Sequence, residues 1–285
     1  KKVAIMHSGV KGKKLDFSAN TQLTEICVGA CKVSRADLGE NSRLKKLEIY
    51  ACGLKDIDLS GCKNLEYVYL SDNQLDSLDI SGNQKLKELY LQQNLLKKLD
   101  LSGNRQLEQL FIDGNPFAAI DSRTLAVADN CKLSMLWADH LKKCKEIDVS
   151  YIPSLTTIYA RSGNYERMKI GEELHSADMS SSKIKVLDEK TLQAPEEAKL
   201  DHLDYRSSVL EKMDTRHLKN LVHLQAPDNR LEEINLSGNP QLFHSIAFEG
   251  NPVRKLIVRN DIPEEQKSRY KEFVKKSGGE VLFEN

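Results

Sequence analysis

The chain has 285 residues, 42 of them Lys or Arg and 42 Asp or Glu, so it carries no formal net charge at neutral pH. That balance argues against attachment to nucleic acid or an anionic membrane through bulk electrostatics. No apolar run approaches the roughly 20 residues of a membrane span, and six cysteines spread over this length do not make the disulfide framework of a small secreted domain.

The chain opens with Lys1-Lys2-Val3, directly in a strand-like segment. Val3, Ile5, Val10, Leu15 and Phe17 read as a partial first turn of a repeat, residues 1–22. Full units follow, marked by Leu23, Leu44, Leu65, Leu86 and Leu107, each 21 residues after the last. From Leu65 through Leu86 to Leu107 they follow the pattern L-x-x-[LV]-x-[LI]-x-x-N-x-L-x-x-L-D-[LI]-S. Looser copies start at Leu133, Leu155, Leu174, Leu200, Leu221 and Phe243, which gives about eleven full turns over residues 23–260. A unit this short cannot bury its own apolar face, so successive units must stack into a solenoid with a continuous core.

Within a unit, alternation sets the faces. Val68 and Leu70 point inward from a short strand, and Tyr67, Tyr69 and Ser71 point outward. The Asn that follows, at 73, 94, 115, 229 and 251, sits where the chain turns away, placed to pair with free backbone groups. Cys31 and Cys52 occupy that slot in two units, where a buried structural thiol is the better reading than a disulfide or metal role. Leu141, Gly163, Ser182 and Ser208 occupy it in the irregular middle. Cys27, Cys62, Cys131 and Cys144 show no C-x-x-C spacing, so no zinc site is signalled.

On the far side of each unit, segments such as Asp79-Ile80-Ser81-Gly82-Asn83 have the chemistry of turns. Asp121, Asp188 and Asp214 each open D-x-[RK]-x-L, which predicts a capping Asp and a brief helix. The triplet Asn235-Leu236-Ser237 lies inside the repeat consensus and is read as part of it rather than as a glycosylation site. Asp261-Ile262-Pro263-Glu264 predicts a helix start, with Asp261 as cap. Tyr270, Phe273 and Val274 form its apolar face and Gly278-Gly279 ends it, so residues 261–285 are read as a helix plus strand covering the last turn.

The motif from Leu65 to Asn73, followed by Leu75, Leu78, Asp79, Ile80 and Ser81, resembles the leucine-rich repeat family, in the short bacterial form of internalin-like and Bacteroidetes surface proteins. The resemblance covers roughly residues 3 to 258. It implies an α/β right-handed solenoid with a parallel sheet on its concave face, turns and short helices on its convex face, and a surface-exposed or secreted bacterial protein that contacts a host or neighbouring-cell protein.

In this register the central outward column of the concave sheet reads Cys27, Glu48, Tyr69, Tyr90, Phe111, Trp137, Tyr159, Asp178, Asp204, Gln225 and Ala247. Five consecutive turns present an aromatic ring in a chain only 6% aromatic, and Tyr50 and Tyr67 flank them. At about 4.8 Å between strands the stripe is roughly 20 Å long. Such exposed aromatic surface marks binding sites, although a ladder that merely stabilises the sheet would place rings in the same way.

Beyond the stripe the face turns ionisable, with Asp113, Asp139, His140, Arg161, His175, Asp178, Asp201, His202, Asp204, Arg206, His223 and Asp228. His202 and His223 share a column on neighbouring turns, but a mutually compensating, solvated polar field is the better reading than a metal site. No catalytic, phosphate-binding or dinucleotide motif accompanies it, so the expectation is no enzyme, no metal and no cofactor. Three functions compete. The first is a protein-recognition module, with Tyr50, Tyr67, Tyr69, Tyr90, Phe111, Trp137 and Tyr159 as anchors and Asp113, Asp139, Arg161, Asp178, Asp204 and Arg206 as rim. The second is a carbohydrate-binding surface, and the third a structural or assembly spacer of a larger protein.

Overall fold

The structure is a computed structural model that describes residues 1–6, 14–242 and 245–284. Val10 and Phe243, two of the repeat positions read from the sequence, lie outside the described residues. The chain forms two compact units, Lys1–Lys143 with Ile152–Leu155, and Cys144–Tyr151 with Thr156–Asn285.

In the first unit, seven strands pair in parallel in chain order: Lys2–Met6, Glu25–Gly29, Lys46–Tyr50, Tyr67–Tyr69, Glu88–Tyr90, Gln109–Phe111 and Met135–Trp137. In the second, Thr157–Tyr159, Ser176–Asp178, His202–Asp204, His223–Gln225 and Ser245–Ala247 do the same. Register follows the repeat without a slip, through the irregular turns as well. Val68 faces Leu89, Leu110 faces Leu136, Ile158 faces Ala177, and Leu203 faces Leu224. Every marker leucine from Leu23 to Leu221 is buried. A one-residue slip would have turned this apolar set to solvent, which is why the register holds where the spacing loosens.

The turn Asn residues knit each turn to the next. Asn94 Nδ2 donates to the Leu70 and Leu91 carbonyls at 2.9 and 3.1 Å, and its Oδ1 accepts the Leu75 N–H at 3.0 Å. Asn73, Asn115, Asn229 and Asn251 repeat the arrangement. The Cys31 and Cys52 thiols donate to the Gly29 and Tyr50 carbonyls, at 3.3 and 3.1 Å. A second ladder, not anticipated from the sequence, runs along the opposite side: Asn83 Nδ2 donates to the Leu59 and Cys62 carbonyls, and Asn104 Nδ2 to those of Ile80 and Asn83.

That opposite side departs from expectation. Among the described residues the only helix is Glu264–Lys275, so the brief helices expected at Asp121, Asp188 and Asp214 are absent. Asp121 Oδ1 accepts the N–H groups of Arg123 and Thr124, both at 3.0 Å. The chain then enters the strand Leu125–Val127, paired with Leu99–Leu101. Asp188 makes the same turn before Leu192–Gln193, and Asp214 ends the strand Lys212–Asp214. Pairing with the preceding turn claims the backbone groups a helix would need, and the carboxylate cap serves a turn instead. The regular turns use the same device, with the Asp58, Asp79 and Asp100 carboxylates accepting the N–H of Ser60, Ser81 and Ser102 at 2.9 Å.

At the C-terminus, Pro263 occupies the position before the helix, without any side-chain cap, and Asp261 instead pairs with Arg259. Its fixed φ and missing N–H suit Pro263 to a helix start. Tyr270 and Val274 are buried, Gly278 turns with φ +68°, and Glu280–Glu284 pairs along Lys255–Arg259. Asn235 is buried, its Oδ1 accepting the Ser237 N–H at 3.0 Å, which makes that triplet structural.

Candidate recognition surface

In the first unit the strand register sets one ring per strand. Tyr69 faces Tyr90, Tyr90 faces Phe111, and Phe111 faces Trp137. All four are half-buried. Tyr69 and Tyr90 are tilted at 5.3 Å between centroids. Tyr90 and Phe111 stack at 4.2 Å and 11°, and Phe111 and Trp137 at 4.0 Å and 14°. Phe111 therefore has both faces covered by neighbours, and what the stack offers solvent is ring edges.

The flanking tyrosines join the same cluster. Tyr50 meets Tyr69 edge to face at 5.5 Å, and Tyr67 lies 5.2 Å from Tyr90. Tyr50 can lie flat because Gly29 is beneath it; a Cβ there would come within 2.5 Å of the ring. Tyr90 donates to Glu88 Oε2 at 2.9 Å, and burial together with that carboxylate raises its phenol pKa. Lys46 Nζ sits 4.8 Å from the Tyr67 ring centroid and 2.8 Å from Glu48 Oε1. At the head of the column, burial and then the Glu48 carboxylate push the Cys27 thiol up to about 12, so it is no nucleophile. Sequence reading placed Glu48 in the central column but had not singled out Lys46 or Glu88; their position beside the rings was the signal available.

The expected rim is uneven. Asp113 is half-exposed and its Oδ1 accepts the Asp139 N–H at 3.0 Å. Asp139, expected on the open face, is buried at 6% exposure, and so is Ser71 at 2%, whose hydroxyl donates to Gln92. Both lie where the strand bends toward the turn position, held by Asn73 after Ser71 and by Leu141 after Asp139, so outward alternation no longer means exposure.

In the second unit, Tyr159 takes the equivalent central position of the first strand, with the Arg161 guanidinium 5.4 Å from its ring. Asp178 and Asp204 are Cα partners on adjacent strands, and Arg206 Nε donates to Asp204 Oδ2 at 2.7 Å. That pairing raises the Arg206 pKa and supplies the cation two adjacent carboxylates require. Asp201 lies between His175 and His202; burial works against its charge, but hydrogen bonds to both rings hold its pKa below the usual value. His202 stacks on His223 at 4.0 Å. Among the described residues no group of three or more His, Cys, Asp or Glu side chains is placed to hold a metal ion, and no helix is long and apolar enough to cross a membrane.

Stacked parallel turns with an Asn ladder at the strand ends define the leucine-rich repeat fold, and both units are built on it. No protein-family model matches the sequence, and neither does any curated protein. Solved structures do match. The leucine-rich repeat domain of APL1B aligns with a TM-score of 0.67 at 18% identity, over 85% of this chain and 71% of that one. The functional domain of InlJ from Listeria monocytogenes, an internalin whose structure includes a cysteine ladder, aligns with a TM-score of 0.54 at 22% identity, over 90% of this chain. The LRIM1/APL1C complex aligns with a TM-score of 0.56 at 16% identity over 79% of this chain. The chain spans 59% of the InlJ domain and 52% of the matched LRIM1/APL1C chain.

Proposed function

We propose that the chain is a non-catalytic recognition domain that binds a partner protein on the outward face of the first unit's parallel sheet. Tyr69, Tyr90, Phe111 and Trp137 are the anchors in the first unit, and Tyr50 and Tyr67 widen them. Asp113 is a rim acceptor of that face, and Tyr159, with Arg161, Asp178, Asp204 and Arg206, is a separate candidate contact surface on the second unit's own sheet. The observation that carries this reading is the ring stack. Four half-exposed rings in consecutive strands make a rigid surface that loses little conformational entropy on binding, the usual composition of an interface hot spot.

The same geometry favours protein over glycan. Sugars stack on ring faces, and the faces of Tyr90 and Phe111 are spent on one another at 4.2 Å. Edges and hydroxyls suit the carbonyls and apolar side chains of a polypeptide. We further propose, from the resemblance to internalin-like repeats, that the domain acts on a bacterial surface or among secreted proteins, facing a host or neighbouring cell.

The test is a displayed-peptide selection on the wild-type chain, followed by affinity measurement against Phe111→Ala and Trp137→Ala variants whose thermal unfolding is checked separately. The expected result is binders that lose at least 10-fold in affinity with either variant. Binders indifferent to both changes would refute the assignment. A glycan array that yields a ligand while selection yields none would replace it with the carbohydrate reading. Concentration-dependent oligomers that Trp137→Ala dissolves would point to assembly.

A further inference from the structure

We propose a second, independent ligand site at the edge of the first unit, a concavity of about 370 Å³ that takes an acidic peptide segment carrying an aliphatic side chain beside its carboxylates. Its floor is made where three consecutive strands end in left-handed residues, Gln93, Gly114 and His140, with φ of 53°, 69° and 57°. The wall is apolar. Leu95, 51% exposed, is one of three large hydrophobic side chains exposed among the described residues, and Pro116 lines the same concavity one turn on.

The lining also carries cations. Lys142 and Lys143 are exposed, and no carboxylate is among the lining residues. Lys97 and Lys98, just beyond Leu95, are also exposed and add to the positive field. The contrast with another groove of the same unit is informative. A concavity of about 470 Å³ around Asp56, Asp58 and Asp79 is lined by no Lys or Arg. A chain of zero net charge thus segregates its charge locally, and the field at each groove follows from neighbours and not from the total.

The mixed lining selects the ligand. A bare anion would use the lysines and leave Leu95 and Pro116 wet, and a purely apolar ligand would bury the approach to two ammonium groups without compensation. A short segment that places a leucine-sized side chain against Leu95 and Pro116 and a carboxylate between Lys142 and Lys143 satisfies both parts of the lining. Gly114 has a part in this. A Cβ at that position would come within 2.3 Å of the Gln93 amide, so glycine lets that amide lie over the floor, where it can bond a peptide backbone.

The experiment follows backbone amide resonances of the full chain during titration with acetyl-Leu-Glu-Glu-Leu-amide. Controls are the isosteric acetyl-Leu-Gln-Gln-Leu-amide and inorganic phosphate, all at constant ionic strength. Saturable shifts centred on Gln93, Gly114 and Lys143 are expected. The Gln peptide should bind at least 10-fold more weakly, as should the acidic peptide to a Lys142→Gln, Lys143→Gln double variant, and Leu95→Ser should cost at least fivefold. These positions are exposed, so the thermal midpoint of each variant should stay at that of the wild type. Equal binding of the two peptides, shifts centred elsewhere, phosphate matching the acidic peptide, or indifference to Leu95→Ser would each overturn the assignment.

Discussion

Replacing Asn94 by Ala isolates what the turn ladder contributes. Its Oδ1 accepts the buried Leu75 N–H at 3.0 Å, and its Nδ2 donates to the Leu70 and Leu91 carbonyls. The two carbonyls keep partners after the change. Asn73 Nδ2 still reaches Leu70 O at 3.0 Å, and Asn115 Nδ2 reaches Leu91 O at 2.8 Å. Only the Leu75 N–H is orphaned, at a cost of about 1–3 kcal/mol for a buried unpaired donor. Two weakened bonds at about 0.5 kcal/mol each bring the expected loss to about 2–4 kcal/mol. Denaturant unfolding followed by far-UV circular dichroism measures the loss, and hydrogen exchange localises it, since the Leu75 amide should lose protection more than Leu70. A loss below about 0.5 kcal/mol would mean that water or a backbone shift replaces the side chain, and the account of the ladder as a structural necessity would be wrong.

Other consequences are sharper in sign than in size. Gly61 and Gly82 hold equivalent places in successive turns, but a Cβ at Gly61 would sit 2.2 Å from the Gly39 carbonyl oxygen, while at Gly82 the nearest atom is 3.9 Å away. Gly61→Ala should destabilise by about 1–3 kcal/mol as an overpacked site, and Gly82→Ala should be neutral or stabilise by about 0.4–1 kcal/mol; thermal unfolding of the pair decides it. His217 is half-buried with Nε2 2.9 Å from the Leu192 carbonyl, and burial lowers its pKa from the ordinary imidazole value of 6.5. The unfolded chain therefore binds the proton more readily. The stability this neutral ring contributes is present above pH 6.5 and is lost as pH falls through 6.5 toward the folded value, with a slope of at most about 1.4 kcal/mol per pH unit. Stability measured from pH 7.5 to 5 should show the fall in the wild type and a reduced one in His217→Gln. Equal slopes would remove His217 as the cause.

How far the sequence reaches can be seen residue by residue. The leucine period determined the parallel stacking, the inward set and the central column, and it did so even between Leu107 and Leu200, where units vary in length. Burial of one face makes any other register cost several leucines, so periodicity alone suffices. The roles of Asn73, Asn94 and Asn115 were legible for the same reason: an amide at a strand end has only backbone groups to meet. What periodicity could not carry was anything decided by a neighbouring turn. Asp121 and Asp188 have the local chemistry of a helix start, but their chains go on to pair with strands laid down elsewhere in the chain. Asp139 alternates outward and is nonetheless buried, because the strand bends there. The Tyr90, Phe111 and Trp137 rings were placed by sequence, but their face-to-face stacking, which withdraws the faces a sugar would use, depends on side-chain rotamers set across strands. The lysine-lined concavity beside Leu95 joins residues from three turns about 50 positions apart at the extremes, and only the stacking of those turns brings an exposed leucine, a proline and two ammonium groups to one place.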